Sequence, residues 1–320
     1  MGGTSSSPAA DAAGSLPPTL AAERARYGNK RFTILNYGLR VILEGPEEAK
    51  MTVLFLHGMG GRAAQFKHQV DFLAERGLRV VAPDLPGAGE SDKPTDSFDH
   101  YSAERLAGVC LAVYQLFCKG ATVIVGHSYG CQHALRVMQT LHQEGKGKGS
   151  RMAVNGLVLI GASRHASQPP AIMLNLPVAV LELVRPMFRD ASNRSLFHPD
   201  TERVVIASEN EVTSLNPMFV IKGMVKGWVG PSMQQGIDQG IESYRGLEVQ
   251  PSVLLLTGET DPITPVSGAE QLNKDLGGSA THKVVEGTSH NCMLERPAEV
   301  NRLLWEFIEP LLLTDKARGS

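Results

Sequence analysis

Residues 121–125 (ATVIV) run without a break into Gly126-His127-Ser128-Tyr129-Gly130, and a helical apolar pattern follows over 128–143. A nearly continuous apolar strand is one covered on both faces, as in sheets with helices packed above and below. A serine between two glycines, placed where a strand meets a helix, makes a sharp turn. That turn lifts the hydroxyl over the C-terminal edge of the sheet, with the positive end of the helix beneath it. The junction points to an α/β architecture and to Ser128 as a nucleophile.

The rest of the chain repeats the alternation. Residues 52–57, 78–82, 154–160, 252–257 and 281–286 read as strands. Residues 64–76, 101–119, 266–276 and 298–313 read as helices. On the second of these helices Leu106, Val109, Cys110, Val113, Leu116 and Phe117 share one face. Residues 32–36 and 40–43, around Tyr37-Gly38, read as an antiparallel hairpin. The expected fold is α/β, a doubly wound and mostly parallel sheet. The segment from Gly161 to Ser252 far exceeds the dozen or so residues a crossover takes, and it holds helical apolar stretches at 171–184 and 217–229. It is expected to be an inserted helical cap, residues 163–247, between core segments 26–162 and 248–320. Residues 1–25 are small, polar and proline-punctuated, and are expected to be a disordered tail.

Composition narrows the functions. Thirty-one Lys and Arg against 33 Asp and Glu give a net charge of −2, which leaves no basic excess for nucleic acid. Four scattered cysteines (Cys110, Cys118, Cys131, Cys292) form no CxxC pair and read as free thiols in a reducing compartment. No Cys/His cluster has metal-ligand spacing, so neither metal nor other cofactor is expected. No apolar run is long enough to span a bilayer. The start Met1-Gly2-Gly3-Thr4-Ser5-Ser6 fits the N-myristoylation pattern with Gly2 as acceptor. Arg24, Arg26, Lys30 and Arg31 would supply a second, electrostatic signal. The expected location is cytoplasmic, peripheral on a membrane if Gly2 is acylated.

A serine hydroxyl needs a base, and the base an orienting acid. In this architecture they follow in the order acid, then histidine. Asp261, beyond the strand at 252–257, and His290, beyond the last strand, lie at the same sheet edge as Ser128. Glu259 is the alternative acid. The strand at 52–57 ends in His57-Gly58-Met59-Gly60-Gly61, where glycines let backbone N–H groups turn inward. Met59 and Tyr129 N–H are therefore the candidate oxyanion donors. His57 and Gly58 from this loop, and Met173 and Met218 from the insert, are candidate substrate contacts. For His57, and for His127, structural hydrogen bonding is the plainer reading.

The motifs HGMGG at 57–61, PDLPGAGESDKP at 83–94, GHSYG at 126–130, GETDPITP at 258–265 and GTSHNCMLERP at 287–297 together resemble the α/β-hydrolase fold superfamily. Within it they are similar to the abhydrolase-domain serine hydrolases, with a cap between the sixth and seventh strands. The resemblance implies an acyl-enzyme mechanism carried by Ser128, His290 and Asp261. A serine here departs from epoxide hydrolase-like and dehalogenase-like relatives, whose nucleophile is aspartate. An H-x4-D pattern associated with lysophospholipid acyl transfer is not met, since Glu295 stands at that offset. The Met- and Leu-rich insert suits a flexible apolar chain, so the expected substrate is a small-molecule or lipid ester. No protein partner is expected. The alternatives are a non-catalytic ligand receptor on the same fold, or a C–C or thioester hydrolase or lipid acyltransferase using the same triad.

Overall fold

The computed structural model describes residues 16–145, 154–164 and 171–318. Gly2, and the Gly/Lys tract Lys146-Gly147-Lys148 that the sequence leads one to expect as a solvated hinge, lie outside these residues. Eight strands form one sheet in the order β1-β2-β4-β3-β5-β6-β7-β8. They are β1 (Arg31–Ile34), β2 (Tyr37–Glu44), β3 (Met51–Leu56), β4 (Arg79–Pro83), β5 (Ala121–His127), β6 (Val154–Ile160), β7 (Ser252–Gly258) and β8 (Thr281–Val285). β2 runs antiparallel to β1 and β4, and β4 to β8 are parallel throughout with β3. Every residue of β3 and β5 is buried.

The two-residue period of the strands divides the core into two layers. Leu54, Leu56, Ile124, Leu157 and Leu159 face one side, where α3 (Ala103–Phe117) and α4 (Tyr129–Gly145) pack. Val53, Phe55, Val123, Val125 and Val158 face the other, against α2 (Lys67–Ala74) and α12 (Pro297–Arg318). Helix α3 buries Leu106, Val109, Cys110 and Val113 as its periodicity requires, but Leu116 is 58 % exposed. The hairpin also differs in detail. Its turn is Leu35-Asn36, both at positive φ (49° and 70°), and Tyr37-Gly38 begins β2. Positive φ at both central residues is what a two-residue hairpin turn demands, and Asn tolerates it better than most.

Two expected boundaries move. Residues 18–25 are not a disordered tail: α1 (Pro18–Tyr27) buries Leu20, Glu23 and Tyr27 on one face. Tyr27 Oη donates to Asp71 Oδ1 at 3.0 Å, which fastens α1 to α2. The insertion contains α5 (Ala171–Asn175), α6 (Val178–Leu196), α7 (Arg203–Thr213), α8 (Met218–Val229) and α9 (Pro231–Arg245). Of these, α9 belongs to the core by packing. Its Met233, Ile237, Ile241 and Tyr244 join the same buried cluster as α4. Gly240 lets the α4 backbone approach, since a Cβ there would sit 3.0 Å from Leu135 Cβ. Among the described residues no helix is long and apolar enough to cross a membrane.

Candidate active site

β5 delivers His127 to the sheet edge, and Ser128 then turns the chain at φ +53°. A left-handed serine is strained by about 1–3 kcal/mol and persists only where its surroundings impose it. Those surroundings are tight. A Cβ at Gly126 would lie 2.6 Å from Cys131 Cα, and one at Gly130 would overlap the Leu56 carbonyl. Ser128 N–H donates to Ile160 O at 2.8 Å, Cys131 N–H to Ser128 O at 2.9 Å, and Cys131 Sγ sits 3.2 Å from Gly126 O. Ser128 is half-buried at the end of β5, between Gly58 on the β3 side and the end of β6 on the other.

The acid and the histidine meet across the ends of β7 and β8. His290 Nδ1 lies 2.8 Å from Asp261 Oδ2, with both side chains buried. Asp261 is saturated with donors: Ile263 N–H and Thr264 N–H on Oδ1 at 2.8 and 3.0 Å, and Thr264 Oγ1 on Oδ2 at 2.5 Å. Burial alone would push this carboxyl up, but His290 and the Thr264 donors hold it below the usual carboxylate range. Glu259, the alternative acid, is exposed and its Oε2 accepts Gly287 N–H at 2.9 Å. It braces the turn instead of the imidazole.

The His290 ring lies against the end of β6, where a Cβ on Gly161 (φ +61°) would come within 3.2 Å of Cε1. Ser128 is bonded to the preceding residue of the same strand, Ile160. His127 closes the bracket from below. Its Nε2 donates to the His290 carbonyl at 3.0 Å, and the two rings lie 4.8 Å apart. Burial, with the His290 charge adding, pushes the His127 pKa down to about 3, so this imidazole is neutral.

The Gly58–Met59 peptide has a fixed direction. Gly58 O accepts from His57 Nδ1 at 2.8 Å and from Gly61 N–H at 3.1 Å. His57 Nε2 accepts Leu85 N–H at 3.0 Å, so its proton resides on Nδ1. In a trans peptide the N–H points opposite to the C=O, so anchoring Gly58 O aims Met59 N–H the other way. His57 is thus a buried bracket for the loop. Tyr129 N–H, at the first residue of α4, is one of the helix donors with no partner within the helix.

Of the remaining expected contacts, Met218 is buried at the head of α8 with its N–H on Glu182 Oε1 at 2.7 Å, and Met173 is half-buried on α5. The apolar neighbours of Met59 are others: Tyr101, Val220 and Met224 form a buried cluster against which Met59 packs. Their only signal in the sequence is the i, i+4 spacing of Val220 and Met224. Among the described residues no group of three or more His, Cys, Asp or Glu side chains is arranged to hold a metal ion.

Comparison with known proteins agrees with this architecture. Residues 53–303 match the family model described as the alpha/beta hydrolase family. The chain is 28 % identical over 264 residues to Protein ABHD8 of Mus musculus, an alignment covering 82 % of this chain and 56 % of that protein. It therefore spans little more than half the length of that relative. It is 23 % identical over 293 residues to Epoxide hydrolase 2 of Siraitia grosvenorii, covering 80 % of this chain and 91 % of the relative. Among solved structures, an esterase from Exiguobacterium antarcticum superposes with a TM-score of 0.71 at 17 % identity, covering 88 % of this chain and 99 % of that one. With its sheet order, its strained serine turn and a family match over most of its length, the chain belongs to the alpha/beta hydrolase family.

Proposed function

We propose that this chain is a serine hydrolase that cleaves a carboxylic ester carrying a hydrophobic or lipid acyl group. The observation that carries the reading is the buried Asp261–His290 pair lying against the end of β6, to which the strained Ser128 is itself bonded. Ser128 Oγ attacks the ester carbonyl carbon while His290 Nε2 takes the hydroxyl proton. The carbonyl oxygen becomes an anion, received by Met59 and Tyr129 N–H. Collapse expels the alcohol, which takes the proton from His290. A water molecule, deprotonated by the same imidazole, then releases the acyl group and restores Ser128. Asp261 stays ionised throughout, holding the imidazole in the tautomer whose Nε2 faces the reaction and stabilising its charged form.

The apolar cluster of Tyr101, Val220 and Met224 beside Met59 supports a hydrophobic acyl group. The test is turnover of p-nitrophenyl esters of increasing chain length, compared with matched thioesters, by wild type and Ser128→Ala. The expected result is ester turnover that rises with chain length and is lost in Ser128→Ala. Turnover retained by the variant, or none by folded wild type, contradicts the reading.

A further inference from the structure

We propose that the segment from Ser195 to Asn216, comprising α7 and its flanking turns, positions the oxyanion donor, with Asn216 and Glu209 as positioning residues. The inference rests on the hydrolase reading above and adds to it a role for the cap in catalysis itself. Gly58 O is fixed from within its own loop, but the next two residues of importance are held from the cap. Gly60, at φ +69°, has its carbonyl bound by Asn216 Nδ2 at 3.0 Å. Arg62 is held by Glu209, with Nη1 to Oε2 at 2.6 Å and Nη2 to Oε1 at 2.9 Å. On its other side Arg62 Nε meets Glu23 Oε1 of α1 at 2.9 Å. Gln65 Nε2 adds a bond to Glu209 Oε2 at 3.1 Å. Arg62, Glu23, Glu209, Gln65 and Asn216 are all buried, so these partners are not exchanged freely for water.

Gly61 N–H, one of the two donors that fix Gly58 O and with it the direction of Met59 N–H, lies between Gly60 and Arg62. Glycine on both sides of Met59 leaves this backbone free to turn, so the hold of the cap on Gly60 and Arg62 sets where Gly61 N–H lies and, through it, where Met59 N–H points. The far end of the same segment reaches the other catalytic loop. Glu295 Oε1 accepts from His198 N–H at 2.5 Å and Thr201 Oγ1 at 2.6 Å, while its Oε2 accepts Ser289 N–H at 2.9 Å. Asn291 N–H donates to Leu196 O at 3.1 Å. One stretch of cap thus grips the loop that presents Met59 and the loop that presents His290. A displacement of about 1 Å in such a group is enough to cost on the order of a hundredfold in rate.

The experiment compares the full-length wild type with Asn216→Ala and Glu209→Gln, and with Val204→Ala, on the exposed side of α7, as control. For each, kcat and KM on a p-nitrophenyl ester are measured, with the inhibition constant of an alkyl trifluoromethyl ketone, whose adduct on serine carries the oxyanion. Melting temperature and the stoichiometry of fluorophosphonate labelling identify the folded, competent fraction. The proposal expects Asn216→Ala to lower kcat per competent site about tenfold to a hundredfold, with KM within about threefold. Affinity for the trifluoromethyl ketone falls by a similar factor, Glu209→Gln acts in the same sense, and Val204→Ala leaves all values unchanged. Unchanged kcat, a rise confined to KM, or undiminished affinity for the ketone in Asn216→Ala overturns it. An active wild type with indifferent variants refutes the role of the cap alone, whereas an inert wild type refutes the hydrolase reading and this proposal together.

Discussion

At Ser128 conformation and chemistry are in tension. The left-handed backbone is tolerated because Gly126 and Gly130 admit the close passage of α4 over β3 and because Ser128 N–H and C=O are both bonded. Glycine at 128 relieves the φ strain but loses some unfolded-state advantage, so Ser128→Gly is expected to be about 1 kcal/mol more stable than Ser128→Ala, both being inactive. Comparing their denaturant midpoints checks this, and a less stable glycine variant contradicts the strain assignment. Asp261→Asn keeps the shape of the site but offers the wrong pattern of donor and acceptor to His290 Nδ1. It is expected to lower kcat by about 10³–10⁴, with little change in KM. Steady-state kinetics on the best ester reads the effect directly. That Ser128, Asp261 and His290 stand just beyond strand ends at one edge of the sheet was legible in the sequence, because a glycine marks the turn at each. Structural hydrogen bonding by His57 and His127 was the plainer reading of the sequence, but their partners, Leu85 N–H and the His290 carbonyl, were not legible because they are backbone groups from distant segments.

Helix α4 carries a second kind of information. Its first residue offers the Tyr129 N–H, and four residues further on His133 is buried with neither ring nitrogen paired among the described residues. Burial, reinforced by the charges of His57 and Arg136, pushes the His133 pKa down to about 3, and His127 is depressed to a similar value. Both are near 6.5 in the unfolded chain, which therefore binds more protons between pH 6.5 and 3. Their contribution to stability is complete above about pH 6.5 and is lost as the pH falls toward 3, by up to about 1.4 kcal/mol per pH unit for each group. Urea unfolding between pH 6.5 and 4.5 is expected to show this slope, and His133→Phe to make it shallower by about one group's share. An identical slope in the variant contradicts the assignment. The element boundaries missed in the sequence have physical reasons. The hydrophobic face of α1 includes Glu23, which is apolar-compatible only because Arg62 neutralises it. The α9 pattern was assigned to the cap by chain position, whereas its glycine-lined face docks on α4.

Across the whole molecule, one buried ion triad ties three regions: α1 through Glu23, the loop after β3 through Arg62, and the cap through Glu209. Arg62→Ala leaves two carboxylates buried without their cation and is expected to cost about 3–5 kcal/mol. Glu23→Ala leaves Arg62 still paired with Glu209 and is expected to cost less, about 1.5–3 kcal/mol. Thermal unfolding of the two variants reports the order, and equal or inverted losses contradict it. The sheet order was readable as a class from strand–helix alternation, since apolar runs at 52–57, 121–125 and 154–160 match β3, β5 and β6 within a residue or two. The triad was not, because charged residues buried by one another carry no hydrophobic period.

The account depends most on Ser128 and His290 acting as one nucleophilic unit, and site-resolved labelling tests that directly. Full-length protein is treated with a fluorophosphonate and digested, and the adduct is located by mass spectrometry in wild type, Ser128→Ala and His290→Ala. The account predicts one adduct, on Ser128, absent from Ser128→Ala and formed at least about a hundredfold more slowly in His290→Ala. Labelling that persists in Ser128→Ala, or proceeds at the wild-type rate without His290, contradicts it.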